Sequence, residues 1–222
     1  PKMISVEQAR KTVIENTPTL GSERLPILEA IGRVISEEVI SDMDIPPMDN
    51  SAMDGYALRH KDIKGTTRDN PRTLLVIGEL RAGDLPDKAI GAGQAIHIMT
   101  GAPIPPGADT VVQQENTELM KNKVKILEAP PLGFNIRKAG EDVAKGDVVL
   151  KPGQLLRPSH IGILASVGKT TVKVIKAPCV AVLATGDELV DAGEKPKAGQ
   201  IRSSNSYTLL AQILELGAKH LN

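Results

Sequence analysis

The sequence has no tryptophan, one phenylalanine and two tyrosines among 222 residues. Single-stranded nucleic acid is bound by stacking bases on several exposed rings, so this scarcity argues against such a partner. Neither sign of charge is in surplus, because 27 Lys and Arg face 27 Asp and Glu. A chain without a basic excess has no footprint for a phosphate backbone, and no nucleic-acid partner is expected. Cys179 is the one cysteine, which excludes an internal disulfide, and its place in the apolar run PCVAVLA predicts a buried, inert thiol. No apolar run approaches the roughly 18 residues of a membrane-spanning helix. The N-terminal PKMISVEQARK also lacks the apolar centre of a signal peptide. These absences predict a soluble, cytoplasmic protein in a reducing compartment, with no membrane partner. His60, His97, His160 and His220 stand singly, so no zinc site is expected. The sequence carries no GxSxG, Walker or GxGxxG pattern.

What is present is aliphatic and rich in turns, with 20 Gly and 16 Pro. The length exceeds the usual single domain, so two or three compact units are expected. Ser5 and Gln8 form a capping-box pattern ahead of Val6, Ala9, Val13 and Ile14 at helical spacing, which predicts a helix over 6–16. The run RLPILEAIGRVISEEVI predicts two strands around a short helical turn. TLLVIGEL, QAIHIM, DTVVQQ and KVKIL read as short strands, separated by the turn clusters RAGDLP, TGAPIPPG and TELMKN. Such spacing predicts a small sheet or barrel module. SHIGILASV, with Pro158 before it and Gly168 after it, predicts a short helix between strands near 148–150 and 171–175. The run 178–184 predicts a parallel strand buried on both faces, and SYTLLAQILELG an amphipathic helix ended by Gly217, together the start of an α/β layer with one strand and one helix.

Several short stretches could carry chemistry. Asp54 is the one acid within SAMDGYAL, among residues that want cover, and a covered carboxylate must find a cation or donors. In TGDE, Asp187 and Glu188 follow the 178–184 strand, where open α/β sheets bind ligands and two acids could hold Mg²⁺ against a phosphate. Capping of a turn is the plainer account of those two acids. IRSSNS, with Ser203, suits an ordinary helix N-cap or an oxyanion site that includes Arg202. Thr100 and Gly101 stand at a strand end, where a hydroxyl and an open backbone could meet a ligand, as also in many tight turns. RKAGEDV, with Arg137 and Asp142, reads by itself as a solvated charge cluster.

Taken in order, PPMDNSAMDGYALR, IMTGAPIPPGADTVVQQE, NIRKAGEDV, VLATGDEL and QIRSSN resemble the molybdopterin molybdenumtransferase family, called MoeA in bacteria and the gephyrin E domain in animals. DNSAMDGYA and IMTGAP are the specific blocks, whereas TGDE alone is weak. The resemblance implies insertion of molybdate into adenylylated molybdopterin with release of AMP, and a need for Mg²⁺. It implies catalytic roles for Asp54, Asp142 and Glu188, with Asp54 and Glu188 as Mg²⁺ ligands. It also implies ligand-binding roles for Thr100, Arg137, Asp187 and Ser203. Its implied fold is mixed α/β and multi-domain, with mostly-β N-terminal and inserted β-barrel-like domains before the start of an α/β, Rossmann-like, molybdopterin-binding domain. The implied division is an N-terminal helix (1–18) on the α/β domain, a discontinuous linker and dimerisation domain (19–45 and 135–176), an inserted β domain (46–134) and an incomplete α/β domain (177–222). Partners implied are a second copy in an elongated homodimer, a molybdopterin adenylyltransferase and molybdoenzyme acceptors. The family is longer, so the sequence is expected to be a fragment that is inactive by itself. A non-catalytic scaffold or dimerisation module of the gephyrin type is the alternative, and the retained acids are what would separate the two.

Overall fold

The computed structural model describes residues 3–221, which fall into two compact units, 40–147 and 3–39 with 148–221. The unit 40–147 is organised by a six-stranded sheet. Its strands lie in the order Thr110–Gln113, Gly55–Leu58, Gln94–Ile98, Arg72–Leu80, Lys123–Ile126 and Thr117–Met120. Neighbours are antiparallel except Arg72–Leu80 with Gln94–Ile98, a parallel pair whose register shifts between Val76 and Glu79. The Gly55–Leu58 strand is buried along its whole length. Its side chains alternate, so Tyr56 and Leu58 join one apolar cluster with Leu74, Val112 and Ile126, while Ala57 joins another with Ile96, Ile98 and Val111. Gly55 permits this position, because a Cβ there would stand 2.0 Å from Val112 O.

This strand was not foreseen, since DNSAMDGYAL carries the small and acidic residues of a turn. TELMKN, expected as a turn, is in large part the edge strand Thr117–Met120, which Lys121 and Asn122 join to Lys123–Ile126. Its exposed side chains give no burial signal, and pairing with the Lys123–Ile126 strand overrides its composition.

In the other unit, Ser22–Pro26 pairs antiparallel with Thr171–Ile175. Ala30, Ile35, Val172 and Val174 are buried, as are Ile161 and Leu164 on the helix Pro158–Ser166. Arg33 donates to the Glu23 carboxylate at 2.7 Å and to Ile175 O at 2.6 Å, which closes the open side of this ribbon. The first helix spans Val6–Glu15 with the capping box of Ser5 and Gln8 in place, and it buries none of its residues. From 177 onward, Cys179–Val180 pairs parallel with Lys219–His220, and the helix Ser204–Glu215 lies between them in sequence. A second short parallel pair joins Leu189–Val190 to Ile201–Arg202.

Two expectations are corrected here. Lys219–His220 is a second strand, so this segment holds a strand–helix–strand unit where one strand and one helix were expected. The 178–184 run is not buried on both faces, because only Cys179–Val180 is strand, Leu183 is 88 % exposed and the Cys179 thiol is exposed. Its apolar composition reports a face that no described residue covers. Among the described residues no helix is long and apolar enough to cross a membrane.

Candidate functional site

Three of the sequence blocks converge in the unit 40–147. The short strand Asn50–Ser51 pairs antiparallel with Ile136–Arg137, and Asn50 also bridges Pro103. Buried Ser51 donates its N–H to Ala102 O at 2.9 Å and accepts the Gly101 N–H at 2.8 Å. The Ser51 hydroxyl closes the next turn on Met53 O at 2.6 Å. Asn135 O accepts the Ala52 N–H, and Asp54 O accepts the Gln114 N–H, so the loop carrying the Asp54 side chain is held on both sides by backbone from distant segments. Gly101 makes the turn possible with a φ of 83°.

Asp54 itself is exposed, contrary to the expectation of cover. Donors nevertheless fix its carboxylate: Oδ1 accepts the Thr100 N–H at 2.7 Å and the Thr100 hydroxyl at 2.8 Å. The Thr100 N–H, then its hydroxyl, hold the Asp54 carboxyl below the ordinary aspartate range, since both bonds strengthen with the charge on oxygen. With Oδ1 so engaged, Oδ2 accepts nothing among the described residues and remains for a cation. A group whose pKa falls on folding contributes stability above its ordinary value and loses it as pH drops through the folded value. Thr100→Val deletes one of the two donors, so the Asp54 carboxyl is expected to titrate at higher pH in that variant. Carboxyl-carbon NMR titration checks this, and an unmoved midpoint would mean that the hydroxyl bond does not hold in solution.

In the same unit, Asp49 accepts the Lys138 ammonium at 2.7 Å and the Ala139 N–H at 2.9 Å. Lys138, then Ala139, pull the Asp49 carboxyl down. Arg137 donates to the Asp142 carboxylate, so these two candidates satisfy each other. Asp49 and Lys138 were missed because their partnership spans 89 positions and leaves no local signal.

Glu188, Asp187 and Ser203 belong to the other unit, so the candidates divide between the two units. Glu188 O accepts the Ile201 N–H at 2.8 Å, and its carboxylate lies 2.6 Å from where a Cβ on Gly186 would stand. Asp187 is exposed. Ser203 occupies the N-cap position of the last helix without a side-chain cap bond, and its hydroxyl meets that of Ser206 at 2.5 Å instead. An open cleft of about 230 Å³ is lined by Thr185, Arg202, Ser203, Ser204, Asn205 and Ser206 among others, which brings the start of TGDE and the IRSSNS donors to one place. Donor N–H groups at a helix start and one guanidinium suit an anion. Among the described residues no three His, Cys, Asp or Glu groups cluster to hold a metal ion. One carboxylate oxygen without a hydrogen bond among the described residues fits a Mg²⁺ ion that keeps its waters and arrives on a substrate phosphate, and does not fit an all-protein cage.

A six-stranded sheet led into by a loop with a donor-fixed carboxylate, together with a last segment that forms a strand–helix–strand unit, defines a β-rich chain of two compact units. The family described as the MoeA N-terminal region, domain I and II, matches residues 4–168, and the chain belongs to that family. It is 37% identical to the molybdopterin molybdenumtransferase of Staphylococcus aureus (strain MRSA252) over 214 residues, which is 96% of this chain and 51% of that protein. It is 39% identical to the molybdopterin molybdenumtransferase of Haemophilus influenzae over 224 residues, 97% of this chain and 54% of that protein. The crystal structure of the molybdopterin biosynthesis moeA protein from Pyrococcus horikoshii OT3 matches with a TM-score of 0.92 at 35% identity, covering 99% of this chain and 59% of that one. The chain thus spans about half the length of the curated relatives it matches.

Proposed function

We propose that these residues form the N-terminal half of a molybdopterin molybdenumtransferase, which inserts molybdate into adenylylated molybdopterin and releases AMP. The observation that carries this is the Asp54 carboxylate, fixed through Oδ1 by Thr100 while Oδ2 accepts nothing among the described residues. A carboxylate already oriented before its ligand arrives loses little free energy in reorganising, which is what electrostatic stabilisation of a phosphate transition state requires. Mg²⁺, when bound with the substrate phosphate, supplies charge neutralisation and polarises the phosphoryl oxygens. Asp54 orients that end of the ligand, with Glu188 as the second acid. Asp142, bonded to Arg137, sets the charge of the adjoining loop. Ser203 and Arg137 are assigned to the anionic parts of the ligand, and Asp187 to its hydrogen-bond donors. The 177–222 segment is read as the start of a Rossmann-like molybdopterin-binding domain, on the support of its parallel Cys179–Val180 and Lys219–His220 pair. The division into 1–18, 19–45 with 135–176, 46–134 and 177–222 is proposed with it, as are a cytoplasmic location and exchange with an adenylyltransferase and with molybdoenzyme acceptors. The activity is that of a protein of full family length, and these 222 residues alone are proposed to be inactive. Release of AMP from adenylylated molybdopterin, dependent on both molybdate and Mg²⁺, tests the assignment.

A homodimer is proposed as the working form. Met3, Val6, Val13 and Ile14 are each at least 60 % exposed on and just before the first helix, an apolar stripe that a second copy would cover. Light scattering on the chain is expected to give a dimer mass across a concentration series. A monomer throughout would remove this region from the interface.

A further inference from the structure

Strand pairing sets Tyr56 opposite His97 and His97 beside Glu79. The three therefore lie together on one face of the six-stranded sheet. With Leu119, Lys121 and Asn122 from the neighbouring hairpin they line a concavity of about 430 Å³. That volume falls within the range of roughly 300–1,000 Å³ typical of small-molecule sites. The His97 ring rests against the Tyr56 ring with centroids 5.0 Å apart and planes at 36°. Tyr56 is 3 % exposed, so its ring belongs to the apolar cluster and backs the half-buried His97 ring. At the rim, Lys121 holds a φ of 46°, in the left-handed region that a non-glycine residue enters only at a cost.

We propose that this concavity receives the purine base of the nucleotide whose phosphate lies at Asp54 and Thr100, an inference that rests on the function proposed above. A flat bicyclic ring fits against the half-buried His97 ring, which the buried Tyr56 ring backs. The Asn122 amide offers both a donor and an acceptor, and the Glu79 carboxylate offers acceptors, which together complement the mixed edge of a purine. Tyr56 follows Asp54 by two residues, about 7 Å along an extended chain, a span that a ribose and one phosphate bridge.

Calorimetric titration of the 222-residue chain with AMP, ribose 5-phosphate and unsubstituted pterin, each with Mg²⁺, tests this. AMP is expected to bind at least tenfold more tightly than ribose 5-phosphate. His97→Ala and Asn122→Ala are expected to erase that difference, and His97→Phe, which keeps a stacking ring, to preserve most of it. Asn122 lies on an exposed turn, so its variant should fold even if His97→Ala does not, and circular dichroism verifies each. Equal affinity for AMP and ribose 5-phosphate would remove the base site and leave the phosphate site standing. Pterin binding more tightly than AMP would assign the cavity to the other ring and overturn the proposal. If neither phosphate compound binds this chain, the inference falls, while the function, which belongs to a protein of full family length, stands or falls by its own AMP-release assay.

Discussion

Asp54→Asn, assayed in a protein of full family length, is expected to lower AMP release by about 10²–10³-fold, the scale of losing one preorganised group that meets transition-state charge. The variant should fold as the parent does. An asparagine carbonyl oxygen can accept the same two bonds that Thr100 gives to Oδ1, at 2.7 and 2.8 Å, so the loop keeps its anchor. The change falls on the other atom, where a carboxylate oxygen becomes an amide that donates and can no longer attract a cation. A surface loop without function would lose nothing by this exchange. Initial rates at saturating Mg²⁺, read beside a thermal melt, decide the matter, and near-parental turnover would remove Asp54 from the mechanism.

Gly55→Ala is expected to disrupt the six-stranded sheet, while Gly78→Ala in the same sheet is expected to be tolerated. A Cβ on Gly55 would meet Val112 O at 2.0 Å and Val112 C at 2.9 Å, which are backbone atoms that no rotamer change can move. On Gly78 the only neighbour within 4 Å is the Lys88 ammonium at 3.9 Å, the free end of a flexible side chain. Relieving the first clash requires Thr110–Gln113 to separate from Gly55–Leu58, which exposes the buried Val111 and Val112. The cost should reach about 3–5 kcal/mol, and the Gly78 change should stay within about 0.5 kcal/mol. Denaturant midpoints compare the two. Equal midpoints would mean that the strands are farther apart in solution.

Helix and strand identity was legible wherever period and punctuation agreed. The capping box at Ser5 and Gln8 and the proline and glycine around Pro158–Ser166 all mark elements close to where they lie. The strands at Val148–Leu150 and Thr171–Ile175 were also found from local pattern. The central Gly55–Leu58 strand was not, because a strand buried on both sides loses its alternation and this one opens on glycine. In the site, individual residues could be nominated from the sequence, but their partners could not. Asp54 was singled out for its setting, yet nothing local names Thr100 as its donor, 46 positions away. RKAGEDV looked like charges answering one another, and Arg137 with Asp142 does so, whereas Lys138 leaves the cluster for Asp49. Cys179 and its apolar run were misjudged for a related reason, since composition reports a demand for cover and not whether these residues provide it.

The spacing of these partners also sets an order of events during synthesis. Asp49 leaves the ribosome 89 residues ahead of Lys138, and Asp54 precedes Thr100 by 46. At about 5–20 residues per second, some 4–18 seconds separate the first acid from its cation. Asp54 can meet Thr100, and the sheet can gain its Lys123–Ile126 strand, before Lys138 is made, but the Asp49 carboxylate stays unpaired until the end of that interval. The site is therefore completed last at Asp49. It closes when the segment around 137 arrives and zips onto Asn50–Ser51, so a ribosome-bound chain stalled before that point should resist proteolysis far less at the DNSAMDG segment than one released after it.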